Sequence, residues 1–412
     1  MEEKGENNKS EIIADLHIHS RFSRACSKNL SIENLEKYAR IKGINLLGTG
    51  DFQHPEWIKE IKVLEERDGI LYTKTGFPFL WQTEVSLMYC QDGKGRRIHY
   101  VILSPDKETS EQITKFLSTK GRLDYDGRPI FGFSSVELVD EMMKINQDIE
   151  IIPAHCWTPW FGIFGSQTGF DSLKEAFQEK VGKIHAIETG MSSSPDMNWR
   201  IKELNEKSIV SFSDSHSFWP WRMGREATIF SGELSYKNIL KQIRENSFKA
   251  TVETDPAYGK YHFDGHRSCK FSCSPNKSKE INNICPVCKK SLTIGVENRV
   301  EQLAGNPLGF IPNSAKPFYK ILPLHELIAL AKASTLASKK TWQIYNDLIG
   351  KFGNEFNILL FVDKIELAKF LPNDWLLVEL IIKNRIGNIK VKAGYDGEYG
   401  IPILPEKQEK LL

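Results

Sequence analysis

His17 and His19 stand two apart in the stretch DLHIHS, with Asp15 two residues before them. In an extended chain all three side chains project to one face, where two imidazoles can grip one ion. A lone His-x-His is more often a pair of half-buried strand histidines. Here further ligand types recur: Asp51 in LLGTGDF, Glu84 in WQTEVS, His99 in RIHYVIL, His155 in IIPAHCW, and Asp214 with His216 in SFSDSHS. Mixed imidazole and carboxylate donors suit zinc, manganese or iron. Ions a few ångströms apart can hold a phosphate oxygen, generate hydroxide and stabilise a leaving oxygen. Phosphate-ester hydrolysis is the expected reaction. Asp15 is placed either to orient one of the histidines through its second N–H or to form a salt bridge with a helix.

A second constellation lies downstream. Cys269-x3-Cys273, a gap of eleven residues and Cys285-Pro-Val-Cys288 supply four thiols at spacings that suit a structural zinc. His262 and His266 lie close by in YHFDGHRSC, and His266 would serve almost as well as Cys273. Between Tyr258 and Val300 eight Lys or Arg face three Asp or Glu. Lys270, Lys277, Lys279, Lys289 and Lys290 read either as phosphate contacts or as the solvated face of a small scaffold.

Two aromatic stretches directly follow ligand residues. CWTPWFGIFGS carries Trp157, Trp160, Phe161 and Phe164, and SFWPWRMGRE carries Phe218, Trp219 and Trp221. At the mouth of a site such rings can stack on bases, and Arg222 or Arg225 can hold phosphates. Packing of the loops over the body is the plain alternative.

The elements that must position these residues are short. Apolar and β-branched runs predict strands at Ile12 to Leu16, Ile44 to Gly48, Leu80 to Cys90, Ile98 to Leu103, Ile149 to Pro153, Ile184 to Glu188, Ile209 to Ser213 and Ala227 to Phe230. Amphipathic stretches between them predict a βα-repeating body with parallel strands, whose C-terminal ends converge on one mouth. Ser31 and Gly43 bracket one helix, and Ser134 with Glu137 makes a capping box before another. DGKG at Asp92 to Gly95 reads as a hairpin turn. Composition shifts divide the chain into residues 1–255, 256–298 and 299–412. The last part is mainly helical, with PLHELIALAKAS and KKTWQIYNDLIGKF as its clearest helices.

DLHIHS, the PAH at Pro153 to His155 and the SDSH at Ser213 to His216 resemble the signature motifs of PHP phosphoesterases, over about Ile12 to Thr251. The resemblance implies a distorted (β/α)7 barrel holding two or three ions, zinc first, with manganese, iron or magnesium as alternatives in activity. It implies His17, His19, Glu84, His99, His155, Asp214 and His216 as ligands, with Glu84 bridging. Thr49, Gly50 and Asp51 stand where many members have Thr-Asp-His, so Asp51 is expected to replace the histidine. Asp214, His216, Glu84 and His155 form the implied catalytic set.

The succession of barrel, YHFDGHRSC, ICPVCKKSLTIGVENRVEQLA and helical tail is similar to the endonuclease Q family over essentially the whole chain. That implies a metal-dependent DNA repair endonuclease with one structural zinc. It would cut the phosphodiester on the 5′ side of uracil, hypoxanthine, xanthine and abasic sites, in double- or single-stranded DNA, as a monomer with a sliding clamp as a candidate partner. A phosphate monoesterase of the histidinol-phosphatase type would use the same barrel metals but has no need of the cysteine module and the helical tail.

Composition narrows the setting. A formal net charge of +2 neither implies nor excludes a nucleic-acid partner, so any such surface must be local. No apolar run approaches the roughly 20 residues that span a bilayer. The N-terminal MEEKGENNKSE lacks a signal peptide's apolar region, and seven cysteines fit metal binding in a reducing compartment. A cytoplasmic, nucleoid-associated protein of a prokaryote is expected.

Overall fold

In the computed structural model, which describes residues 11–404, every strand expected from an apolar run is present with its ends moved by a few residues. The charged stretch MEEKGENNKS lies outside the described residues. The first strands are β1 (Glu11–Asp15), β2 (Leu46–Gly48), β3 (Glu65–Arg67), β4 (Ile70–Tyr72), β5 (Pro78–Leu80) and β6 (Gln82–Gln91). They are followed by β7 (Lys94–Leu103), β8 (Ile130–Phe131), β9 (Glu150–Pro153), β10 (Ala186–Glu188) and β11 (Ser208–Val210). Then come β12 (Ala227–Ser231), β13 (Ala250–Glu253), β14 (Asp264–His266), β15 (Phe271–Cys273), β16 (Phe318–Lys320), β17 (Val391–Lys392) and β18 (Ile401–Pro402). The three-residue strands β3, β4 and β5 are too short to show a periodicity and were not expected from the sequence.

The body is a mixed α/β structure built on three sheets. One runs in the order β16-β13-β12-β1-β2-β5-β4-β3, one β8-β6-β7-β9, and β10 pairs with β11. Pairing is mixed where parallel strands were expected: β1 is parallel to β2 but antiparallel to β12, and β7 is antiparallel to β9; β6 and β7 pair antiparallel, as the DGKG turn predicts. The cause is local for β6 and β7. Asp92 and Gly93 both take positive φ, 53° and 72°, which closes a two-residue hairpin whose twist matches the flanking strands.

Ser31 caps the helix Ile32–Lys42 by accepting from Asn34 N. Ser134 accepts from Glu137 N at 3.1 Å, but the Glu137 carboxylate reaches Lys120 at 2.6 Å, so only half of the expected capping box forms. The C-terminal region is helical as expected, with Leu324–Lys332, Lys339–Phe352, Glu355–Leu360, Lys364–Phe370 and Trp375–Arg385. Its apolar faces join the core of the N-terminal body: Phe356, Leu377 and Ile381 are buried in the same cluster as Leu35, Ala39 and Ile44. Residues 318–320 also extend the large sheet by pairing in parallel with β13. Among the described residues no helix is long and apolar enough to cross a membrane.

Candidate metal centres

β1 ends at Asp15, and the next residues carry His17 and His19 side by side into the interior. Ile18 bridges Ser215 in parallel, His19 N donates to Ser215 O at 3.0 Å and Ser215 N to His17 O at 3.3 Å, which fastens DLHIHS to SDSH. Glu84 on β6 lies opposite Val101, and His99 on β7 opposite Ser86, so the two side chains are diagonal neighbours on one face. His155 follows β9 at a φ of 30°, and Asp51 and Asp214 have φ of 39° and 48°. Aspartate tolerates this left-handed region better than histidine does. At His155 the backbone is held by Glu188, which accepts from its N–H at 2.7 Å. Gly190 passes so close that a Cβ on it would stand 2.5 Å from His155 Cβ.

Two groups of donors result, and they share Glu84. One is His17, His19, Glu84 and Asp214; the other is Glu84, His99 and His155. His19 Nε2 lies 3.1 Å from both Glu84 Oε2 and Asp214 Oδ1, while His17 Nε2 lies 3.6 Å from Glu84 Oε1 and from Asp214 Oδ1. His99 Nδ1 and His155 Nε2 approach Glu84 Oε1 to 2.9 and 3.3 Å. His17 Nε2 and Glu84 Oε1 are buried with no hydrogen-bond partner. Orphaned polar atoms of this kind cost on the order of 1–3 kcal/mol each unless something satisfies them. A cation between them would, so the donor set fits metal ions and Glu84 fits a bridging position.

Electrostatics agree. Burial alone would raise the pKa of Glu84, but His99, Arg128 and His17 hold it well below the usual carboxylate range. Burial acts the same way on Asp214, and His216, His19 and His17 outweigh it. Both carboxylates are anionic donors. Burial takes His99 down to about 3 against the pull of Glu84.

The outer nitrogens of the ligand rings are held in turn, which fixes the inner ones toward the site. Glu188 accepts from His17 Nδ1 at 2.8 Å, Asp51 pairs with His19 Nδ1 at 3.0 Å, and His155 Nδ1 meets Thr158 Oγ1 at 3.0 Å. Two expectations are corrected here. Asp51, expected as a ligand, lies outside both groups because its oxygens are taken by His19 Nδ1, Ser20 N and Ser23 Oγ. Asp15 does not touch His17; it accepts from Ser213 N and Gly224 N, both at 2.9 Å, and so ties β1 to the SDSH stretch. Glu188 holds His17 instead. It sits at the end of β10, the same strand-end signal the other residues carry, and could have been found by it. Arg128, 3.0 Å from Glu84 Oε2, lies in a loop with no such signal. His216 stands at the edge, Nδ1 3.0 Å from Asp214 O and its ring 4.5 Å from that of His19.

In the cysteine module the four clustered donors are His266, Cys269, Cys285 and Cys288. His266 Nδ1 is 3.2 Å from Cys288 Sγ. Cys273, first choice on spacing, is displaced by His266. In the β14–β15 hairpin Cys273 pairs with Asp264, away from the turn, whereas His266 adjoins the turn that carries Cys269. Burial would raise the Cys285 thiol, but the N–H groups of Cys288 and Val287, with His266, bring it to about 6. Three sulfurs and one imidazole are a donor set that fits zinc.

The chain superposes on the lesion-specific endonuclease PfuEndoQ from Pyrococcus furiosus with a TM-score of 0.85 and 27% identity, covering 96% of each chain. It superposes on an endonuclease Q complex, with a 27-mer duplex carrying an abasic lesion at the active site, with a TM-score of 0.86 and 28% identity, covering 96% of this chain and 97% of that one. Over nearly its whole length the chain is similar to endonuclease Q. Residues 323–387 match the model of the MJ0043 C-terminal domain. Protein MJ0043 of Methanocaldococcus jannaschii is 34% identical over 262 residues, which are 62% of this chain; the match spans only 32% of that longer relative.

The aromatic stretches take structural places more than open ones. Trp157 is 1% exposed and donates to Asn198 Oδ1 at 2.7 Å, and Phe164 is buried against it. Trp219 and Trp221 stack on each other at 5.3 Å and both meet Trp342 from the C-terminal helices, so they cement the two regions together. Of the aromatics expected to contact DNA, Trp160, Phe161 and Trp219 are part-exposed, Phe161 lying 4.4 Å from the ring of His99 and Trp160 edge-on to Tyr261. Arg225 donates to Ser213 O through Nε and Nη2, and Arg222 lies over the Tyr399 ring. A cavity of about 170 Å³ opens beside Asp214, lined by Thr158, Met191, Arg225, Lys260, His262 and Tyr399 among others. Lys260 and Tyr399 carried no signal in the sequence.

Proposed function

We propose that this protein is a metal-dependent DNA repair endonuclease that hydrolyses the phosphodiester on the 5′ side of deaminated bases, uracil, hypoxanthine and xanthine among them, and of abasic sites. The observation that carries this reading is the likeness of nearly the whole chain to an endonuclease Q bound to a duplex with an abasic lesion at its active site. In it the strands of residues 1–255 form a distorted seven-stranded barrel of the PHP kind, residues 256–298 a structural zinc module, and residues 299–412 a mainly helical domain.

His17, His19, Glu84 and Asp214 would hold one ion and Glu84, His99 and His155 a second. When bound, the ions supply Lewis acidity toward phosphate oxygens and make water acidic enough to yield a nucleophile at neutral pH. The chain's own residues do the rest. Glu188, Asp51 and Thr158 keep the ligand rings in position. Arg128 adds a positive charge beside Glu84, and His216, tied through Nδ1 to Asp214 O, keeps Nε2 for a third ion or for a proton. The cavity beside Asp214 is the place this reading gives to a base turned out of the stack. Extrusion exposes the base edge that deamination changes.

A parallel assay of four substrates tests the reading: a uracil duplex, an abasic duplex, an undamaged duplex and a generic phosphate monoester, each with and without added metal. Metal-dependent nicking of the first two alone is expected. Turnover of the monoester alone would make the protein a small-molecule phosphatase.

A further inference from the structure

Tyr399 reaches the mouth of the site from near the C-terminal end of the described chain, and the route it takes is tightly built. Asp396 accepts from Arg267 N at 2.7 Å and from Thr293 Oγ1 at 2.8 Å, and Tyr395 bridges Phe263, so the tail is strapped to the cysteine module. Gly394 N donates to Ala257 O and Gly400 N to Tyr258 O. A Cβ on Gly400 would lie 2.1 Å from Ala257 O, so only glycine allows this approach. The phenol is thereby delivered to the wall of the cavity that also contains Asp214.

Three cations from two other segments surround it. Lys260 Nζ lies 4.7 Å and the Arg222 guanidinium carbon 5.5 Å from the centre of the Tyr399 ring. Arg225 lines the same cavity; two of its nitrogens are spent on Ser213 O, and the buried Nη1 has no partner. Burial would raise the phenol's pKa, yet Arg225, Arg222 and Lys260 together bring it below its usual value. The acidic groups facing them do not balance this charge. Glu326 is half-buried; desolvation raises its pKa against the pull of Tyr258, Arg222 and Arg225, and its oxygen is taken by Tyr258 OH at 2.6 Å. His262 is driven by burial to about 4 and is neutral. Asp214 is committed to the ligand group. Among the described residues no carboxylate forms an ion pair with any of the three cations, an arrangement that calls for an anion from outside.

We propose that Tyr399 gathers Arg222, Arg225 and Lys260 into a rim that binds a backbone phosphate of the nucleic-acid strand at the mouth of the cavity beside Asp214. The proposal deepens the nuclease reading and rests on it for the identity of the anion. A guanidinium fork and an ammonium meet two phosphodiester oxygens, and an aromatic ring held between cations fixes their positions before the strand arrives. Tyr399 is a positioning residue in this scheme, while Lys260 and the arginines touch the phosphate.

Binding of a labelled, undamaged oligothymidylate to the metal-replete protein, followed by anisotropy between about 50 and 200 mM salt, tests the rim. Lys260→Gln and Arg222→Gln are each expected to weaken binding several-fold and to lower the log-log salt slope by roughly one. Tyr399→Ala should weaken binding without removing a charge, and Tyr399→Phe, which keeps the ring, should restore most of it. Lys237→Gln, at an exposed helix position, should change nothing. Wild-type affinity and slope in all the rim variants would overturn the proposal. So would displacement of the oligonucleotide by millimolar inorganic phosphate, which would mark a site for the free ion. Nicking of an abasic duplex by the wild type, run alongside, separates the two readings. Unchanged binding by the variants with intact nicking removes the rim alone, whereas weakened binding with no nicking removes the nuclease reading and leaves the rim.

Discussion

Lys42 and Glu355 form an ion pair 2.6 Å long in which neither side chain reaches water, joining the helix Ile32–Lys42 of the N-terminal body to the helix Glu355–Leu360. Both groups make further hydrogen bonds. Lys42 also donates to Pro220 O at 2.8 Å, and Glu355 accepts from Tyr345 OH and Leu324 N. Burial lowers the lysine's pKa and Glu355 opposes the shift. Through Pro220 the pair also braces the loop that follows Asp214 and His216.

Removing one partner should therefore be costly. Lys42→Met leaves a buried carboxylate unpaired and is expected to lower stability by about 3–5 kcal/mol. The double variant Lys42→Met with Glu355→Gln should recover part of that loss. Urea unfolding of the four proteins in the cycle measures it, and additive losses would mean that the pair is not coupled.

Glu188→Gln tests the support of His17. The amide keeps the volume but no longer presents two acceptors to His17 Nδ1 and His155 N. A loss of metal affinity of about 10- to 100-fold is expected, with little change in melting temperature of the metal-free protein. Metal content unchanged after dialysis against a competing chelator would count against it.

Asp214→Asn is expected to abolish cleavage while leaving the fold and most DNA affinity in place, because a neutral amide is a poorer ligand of the same size. A fluorescent base analogue opposite uracil should brighten when this variant binds. Unstacking costs least at mismatches, so a guanine analogue opposite uracil should brighten more than an adenine analogue. Turnover at the wild-type rate would remove Asp214 from the catalytic set.

The cysteine module separates two thiols that look alike in sequence. Cys285→Ser should release one zinc per chain and destabilise the module, whereas Cys273→Ser should retain it, since His266 completes the group. Elemental analysis of both variants decides, and zinc loss from the Cys273 variant would restore that thiol as a ligand.

Glu253 gives a dependence on pH. Burial lifts its carboxyl from 4.5 to about 8, more than hydrogen bonds from Thr251, Thr189 and Ser211 can offset. The folded state thus holds this proton more tightly than the unfolded one. The stability it contributes is complete below about pH 4.5 and is lost as pH rises toward 8. Glu253→Gln should flatten the curve, gaining on the order of 1 kcal/mol or more over the wild type between pH 5 and 8. Identical pH profiles in urea melts would place the proton elsewhere.

What the sequence alone determined is whatever depends on residue type and short-range spacing. His17 and His19 share a face because extended backbone has a period of two. The Asp92–Gly93 turn closes its hairpin because both residues tolerate positive φ, and Cys285-Pro-Val-Cys288 bends into a knuckle over four residues. The strand-end positions of Glu84, His155 and Asp214 were legible for the same reason. Tertiary structure decided which of several chemically equivalent groups reaches a shared point. Asp51 and Glu188 are both carboxylates near strand ends, yet both orient ring nitrogens, and only the fold shows that neither joins the ligand groups. His266 displaces Cys273 through hairpin register, Trp219 and Trp221 meet Trp342 more than a hundred residues away, and Tyr399 arrives beside Asp214 on a tail strapped to the cysteine module. Such placements are set by long-range packing, to which local periodicity is blind.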